Sequence, residues 1–277
     1  MLVWFVTGAS RGFGRQLAEL VLERGDAVVA TARDPSVLAA ELGPHERLLT
    51  AALDITDPGA AQAAVAAALE RFGRIDVLVN NAGRGLIGAV EEASEAEIRA
   101  VFENNVFGAL AVLRAALPSM RERRSGTIVN VSSVGGMASR SGGGIYGGTK
   151  FAIEGISEAL RAELAPLGIR VLIVEPGAFR TDFHDVRSIR FVERVIDDYA
   201  ETAGAFRGAA ESTNHRQRGD PRRAAAAMIT AATAAEPPQR LVLGADALTR
   251  IEAKLDQVHS DLAAWRELTV STDLTEG

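Results

Sequence analysis

Short apolar runs alternate along the chain with longer stretches of helical period, and this alternation predicts a parallel sheet covered by helices. "LVWFV", "AVVATA", "RLLTAAL", "IDVLVNNAG", "GTIVNVSS", "IRVLIVEPG" and "RLVLG" read as strands. Between them, Phe13, Leu17, Leu20 and Val21 mark one face of a helix that Gly25 stops. "AAQAAVAAALERF" is helical behind Asp57 as N-cap and Pro58 in the first turn. Ser94 opens a long helical region through Arg123, bent near Gly108, and "YGGTKFAIEGISEALRAEL" forms another. Residues 183–219 show no clear strand and read as an irregular, partly helical insertion. A helix near Arg222–Ala235 and a last one over 245–267 complete the chain. With no linker or repeat, residues 1–277 are expected to form one α/β domain around a single doubly wound parallel sheet of about seven strands.

Composition narrows the class. With 47% apolar and 24% charged residues the chain reads as an ordinary globular protein, and its longest apolar runs fall short of a membrane span. "MLVWFV" lacks the charged lead and cleavage site of a signal peptide, so a cytoplasmic location is expected. The absence of Cys excludes disulfides and thiol chemistry. A net charge of −6 argues against nucleic-acid binding, and "RERR" and "DPRR" read as solvated helix ends. The scattered histidines have no paired spacing, so no metal site is expected.

"VTGASRGFG" (6–14) matches two motifs. As G-x-S-x-G it would make Ser10 the nucleophile of a hydrolase, with His184, His215 or His259 nominally available for a triad. That reading fails on position, because an elbow serine draws an oxyanion-hole amide from a loop after an earlier strand, and here only one strand precedes it. As a glycine loop between strand and helix, Gly8 permits the turn and Gly12 close backbone approach to a diphosphate. Gly14 allows tight helix–strand packing, and the helix N-terminus offers amide donors.

With this loop, "NNAG" (80–83), Ser133 with "YGGTK" (146–150) and "PGAFRT" (176–181) in this order, the chain resembles the short-chain dehydrogenase/reductase family, main single-domain branch. The resemblance is close over residues 2–182 and implies a Rossmann-type sheet and hydride transfer between a nicotinamide cofactor and a ketone, aldehyde or alcohol. Tyr146 is then the proton donor or acceptor. A free tyrosine titrates at about 10, and Lys150, one helical turn along the same face, favours the tyrosinate. The chain holds only two lysines and two tyrosines, and one of each occupies this register. By resemblance Lys150 also bonds the nicotinamide ribose, Ser133 holds the substrate oxygen, and Asn105 is the helix-bending asparagine that carries a water to the lysine. Only the family register selects Asn105 over Asn104.

The cofactor positions implied are Gly8, Ser10, Arg11, Gly12, Phe13, Gly14, Arg33, Asp54, Ile55, Asn81, Ala82, Gly83, Tyr146, Lys150, Pro176, Gly177, Phe179 and Thr181. Asn80 and Asn81 are read as partly structural. The expected cofactor is NADP(H). The position where an NAD enzyme carries an acid is Ala32, and Arg33 and Arg11 are placed to clamp a 2′-phosphate. Asp34 is the counterargument, unless it caps the helix after Pro35. The substrate is expected to be set mainly by the insertion 183–219, with the loops after the fourth and fifth strands and the C-terminus. Gly135, Gly136, Met137, Ile145, Phe183, Phe191 and Phe206 are candidates for an apolar pocket, and a small hydrophobic carbonyl or alcohol is the expected substrate class. A homodimer or homotetramer through helices near Phe102–Leu117 and Phe151–Leu164 is implied by resemblance. Leu248, Ile251, Leu255, Val258, Leu262 and Trp265 form an apolar seam on the last helix, which serves either core packing or a cover for the substrate mouth or a partner subunit. A non-enzymatic, cofactor-sensing module on the same fold is the alternative. It would need the glycine loop but no proton donor.

Overall fold

The computed structural model describes residues 1–184, 188–212 and 216–274, so His215 and two short parts of the insertion lie outside the described residues. β1 (Val3–Val6), β2 (Ala27–Ala32), β3 (Leu48–Ala52), β4 (Val77–Asn80), β6 (Gly126–Val131), β7 (Ile169–Pro176) and β9 (Arg240–Leu243) form one sheet. Its order is β3-β2-β1-β4-β6-β7-β9, and every pairing is parallel. Helices cover both faces. On one, Trp4, Val6 and Val28 pack with Leu17 of α1 (Gly12–Glu23) and Met228 of α8 (Pro221–Thr233). On the other, Phe5, Val29 and Ile128 pack with Val65 of α3 (Pro58–Phe72) and Val112 of α5 (Gly108–Arg123). The strand order reverses between β1 and β4, and at such a switch point the crevice opens beyond the strands' C-terminal ends.

Local chemistry sets the helix ends as the sequence predicts. Asp57 caps α3 with Pro58 at its first position, and Asp34 caps α2 (Pro35–Leu42) by accepting from the Ser36 amide. Ser94 and Glu97 close a reciprocal capping box on α4 (Glu95–Phe102). The expected bend is a π-helical turn, Glu103–Phe107, between α4 and α5. The continuous helix Glu95–Arg123 is long and apolar enough to cross a membrane by length and composition. Its Val112, Leu113, Ala116 and Met120 are instead spent on the core.

The insertion corrects the sequence reading. Ile189–Phe191 is a strand, β8, paired in parallel with β5 (Gly85–Ile87) in a small second sheet. Three residues are too few for period or propensity to show; the partner lies a hundred residues away. The remainder includes α7 (Ala205–Ser212). Buried Glu92 anchors it, accepting from the amides of Ala89 (2.7 Å) and Ile196 (2.9 Å) and pairing with Arg207 at 3.1 Å.

The last helix also differs from expectation. It is α9 (Ala245–Ala264), broken at Trp265 before α10 (Arg266–Val270). Only its first turns touch the body, where Ala247 and Ile251 pack on Val134. Leu248, Leu255, Val258, Leu262 and Trp265 are exposed, so of the seam only Ile251 packs in the core of this chain.

Beneath the C-terminal end of the sheet, Arg240 on β9 pairs with Glu154 (3.2 Å) and Glu158 of α6 (Gly144–Leu164), and with fully buried Glu175 of β7 (3.0 Å). Burial, then the neighbouring charge of Glu154, pushes Glu175 up to about 7. The folded chain therefore holds this proton more tightly than an unfolded glutamate does. The resulting stabilisation is full at acid pH and lost as pH rises through about 7. The melting temperature is expected to fall between about pH 5 and about pH 8, and the fall to shrink in Glu175→Gln; scanning calorimetry across that range checks both.

Candidate active site

The glycine loop is built by backbone constraints. Gly8 has φ +66°, and a Cβ there would sit 3.0 Å from Ala82 Cα. At Gly14 a Cβ would collide with the Gly8 carbonyl and lie 2.6 Å from Asn81 Nδ2. Asn81 explains that crowding: its Nδ2 donates to the carbonyls of Thr7 (2.9 Å) and Gly8 (3.2 Å). The Thr7 hydroxyl accepts from the amides of Asn81 and Ala82, both at 2.9 Å. "NNAG" is thereby fastened to the glycine loop. Thr7 went unnoticed in the sequence, since a threonine at a strand end carries no pattern of its own. Asn80 is also structural, donating to Asn130 Oδ1 at 2.9 Å.

These elements frame a cleft of about 930 Å³. Gly8, Ser10, Arg11, Gly12 and Phe13 line it, together with Arg33, Asp54 and Ile55. Ala82, Gly83, Tyr146, Lys150, Pro176, Gly177, Phe179 and Thr181 complete the walls, and Ser133 and Asn81 also reach them. Gly14 lies behind the loop and Asn105 is buried away from the wall, whereas Asn104 borders the cleft. Thr181 is the nearest side chain to Gly12, so the segment after β7 closes over the loop. Phe13 and Phe179 meet edge to face at 5.2 Å. Asp34 is turned away as a helix cap, both its hydrogen bonds going to Ser36. Asp54 is likewise engaged by Thr56, whose hydroxyl and amide hold its carboxyl below the ordinary value, with help from Arg33 and Arg84.

Arg84 was missed in the sequence, though it directly follows "NNAG". It lines the cleft, and Asn105 grips its backbone on both sides: Oδ1 accepts from the Arg84 amide (2.9 Å) and Nδ2 donates to its carbonyl (2.8 Å). Burial and the charges of Arg190 and Arg33 lower its pKa. Asn105 also donates to Thr149 Oγ1 at 3.0 Å, tying the π-helical turn to α6.

Ser133 lies two residues past the end of β6, capping a short 3-10 turn, and Tyr146 and Lys150 lie on the first turns of α6. Burial pushes the Tyr146 phenol up to about 12, while a hydrogen bond with Ser133 works in the opposite direction. Lys150 is buried, donates to the Val131 carbonyl at 2.9 Å, and has its Nζ 5.8 Å from the Tyr146 ring centre. Burial brings it down to about 8, against the pull of Glu154. Of the apolar candidates, Gly135, Phe183 and Phe206 line the cleft, and Phe183 meets Tyr146 at 5.7 Å. Gly136, Met137, Ile145 and Phe191 do not; Met137 packs under α9 and Ile145 against Leu86. The small sheet contributes Leu86, Ile87 and Ile189 in their place.

The residues present fit a dinucleotide: a loop closed to side chains at Gly8 and Gly14, an α-helix N-terminus facing the cleft, and a cleft running from Arg33 to Lys150. The short chain dehydrogenase family matches residues 2–189. Over 272 residues the chain is 36% identical to oxidoreductase BOA17 of Botryotinia fuckeliana, covering 98% of each. It is 37% identical to a 3-ketodihydrosphingosine reductase of Bacteroides thetaiotaomicron, over 86% of each. A crystal structure of a short-chain dehydrogenase from Streptomyces avermitilis superposes with a TM-score of 0.90 at 45% identity, covering 99% of this chain and 100% of that one. Related structures carry either cofactor. One from Burkholderia phymatum, with NAD, has a TM-score of 0.81 at 25% identity over 94% of this chain and 95% of its own. One from Burkholderia cenocepacia, with NADP, has 0.70 at 28% over 99% and 98%. The chain belongs to the short-chain dehydrogenase family and is an oxidoreductase with a nicotinamide-cofactor fold.

Proposed function

We propose that this enzyme interconverts a ketone or aldehyde and an alcohol with NADP(H), using Tyr146 as proton donor or acceptor. The observation that carries this reading is the meeting of Ser133, Tyr146 and Lys150 on the wall of the cleft that the glycine loop also lines. A cofactor sensor would need the loop but not this set. The nicotinamide supplies or accepts the hydride when bound; the protein handles the proton. Ser133 holds the substrate oxygen, and Tyr146 gives its phenolic proton to that oxygen as negative charge develops there. Lys150, fixed by Val131, stabilises the phenolate left behind. Asn105 acts on the site through the Arg84 backbone and Thr149, setting where Gly83 faces Lys150. For the cofactor, Arg33 and Arg84 offer cations at the adenosine end, while Asp34 is occupied by Ser36. Following NADPH and NADH oxidation across aliphatic and aromatic carbonyls tests the reading, and no turnover with any of them overturns it.

We also propose a homodimer or homotetramer. Phe107 and Phe151, on the two helices expected to pair, are 56% and 45% exposed in the single chain. Light scattering is expected to give the mass of two or more chains, and Phe107→Arg to lower it. A wild-type mass of one chain overturns the proposal.

A further inference from the structure

Beyond Tyr146 the cleft turns basic. Between Ser133 and Tyr146 the chain carries only Val134, Met137, Arg140 and Ile145 among Gly, Ala and Ser residues, and Ile145 packs against Leu86. Met137 packs under α9, which leaves Arg140 as the long side chain on the cleft wall. Its guanidinium lies 3.8 Å from the Phe206 ring centre, a cation–π contact that fixes its position without neutralising it. Arg250, on the second turn of α9, lines the same wall and is held by donating to the Ala138 carbonyl. Asp246, one turn earlier, is the carboxylate that acts on both, yet its Oδ2 already accepts from the Ala178 amide at 2.9 Å. Among the described residues no carboxylate lies within ion-pair distance of either arginine. Partial burial and the charge of Arg250 bring Arg140 down to about 10, the mark of two like charges held together with too little compensation. Holding them costs folding energy, and a bound anion would return it.

We propose that Arg140 and Arg250 grip a carboxylate at the end of the substrate remote from its carbonyl, so that the enzyme acts on oxo-acids and the matching hydroxy acids. This deepens the carbonyl-reductase reading and rests on it. The middle of such a substrate lies against Phe183, Phe206 and Ile189, while its carbonyl reaches Ser133 and Tyr146. Planar guanidinium groups suit a carboxylate because they donate two parallel hydrogen bonds.

Para-acetylbenzoate and its methyl ester make a matched pair that differs in this one charge. With wild type, kcat/KM is expected to favour the acid. Arg140→Gln is the cleaner variant, since the substitution keeps the Arg140 carbonyl that accepts from the Gly143 amide, whereas Arg250 holds the Ala138 carbonyl through its side chain. It is expected to lower kcat/KM at least ~10-fold more for the acid than for the ester, mainly through KM, as follows from one lost charged hydrogen bond. Calorimetric titration of both compounds into the NADP⁺-loaded protein supplies a readout independent of turnover. Acid binding that Arg140→Gln abolishes, without reduction of either compound, supports the anion site, and the carbonyl reading falls with it only if the wider carbonyl panel is not turned over either. Reduction of both with equal losses in the variant overturns the anion site alone. Absence of binding by the acid overturns the proposal.

Discussion

Tyr146→Phe is expected to lower turnover by at least ~100-fold while leaving cofactor affinity close to wild type, the low end of what a general acid contributes. The substitution removes one oxygen and keeps the ring, so its packing against Phe183 survives. What is lost is the only phenol on the cleft wall among the described residues. Because burial pushes Tyr146 up to about 12, the phenol is protonated throughout the neutral range and ready to donate in reduction. Oxidation of an alcohol needs the phenolate instead, so its rate is expected to climb with pH where reduction stays flat. Above about 8 Lys150 loses its proton, and with it the charge that stabilises the phenolate, so reduction should then decline. Stopped-flow rates in both directions across the pH range, with cofactor titrations followed by fluorescence, check the set. Substantial turnover in Tyr146→Phe would place the acid elsewhere.

Arg33→Ala is expected to raise KM for NADPH by roughly 10- to 100-fold, the loss of one hydrogen bond to a charged group, and to change KM for NADH little. NADH lacks the 2′-phosphate, so the comparison isolates that group. Steady-state kinetics with both cofactors in wild type and variant decides the matter. A wild-type preference for NADH, or equal losses for both, removes the NADP(H) assignment. Arg84, with its lowered pKa, belongs to the same experiment: Arg84→Ala is expected to weaken NADPH more than NADH if its guanidinium shares the phosphate with Arg33.

Much of this protein is written in local order. Short apolar runs alternating with helical stretches determine the parallel strands, because each crossover helix returns the chain to the same end of the sheet. Asp34, Asp57 and Ser94 determine helix starts, because a cap satisfies amides within a few residues of itself. The glycine loop, Ser133, Tyr146 and Lys150 are legible for the same reason: short loops and one helical turn fix the geometry they need. What the tertiary structure alone decided depends on contacts between distant segments. β5 and β8 exist because they pair across the insertion, and neither is long enough to declare itself. Thr7 and Glu92 became structural anchors only where remote amides converged on them. The seam on α9 carries the same period as a core helix, and only the fold reveals that its far turns leave the body. Arg140 and Arg250 read as two more arginines in an arginine-rich chain until α9 folds back over the loop after β6 and sets both charges on one wall. Sequence specifies how each segment folds against its own neighbours; charge and shape in a cleft are sums over segments that meet only when the whole chain has folded.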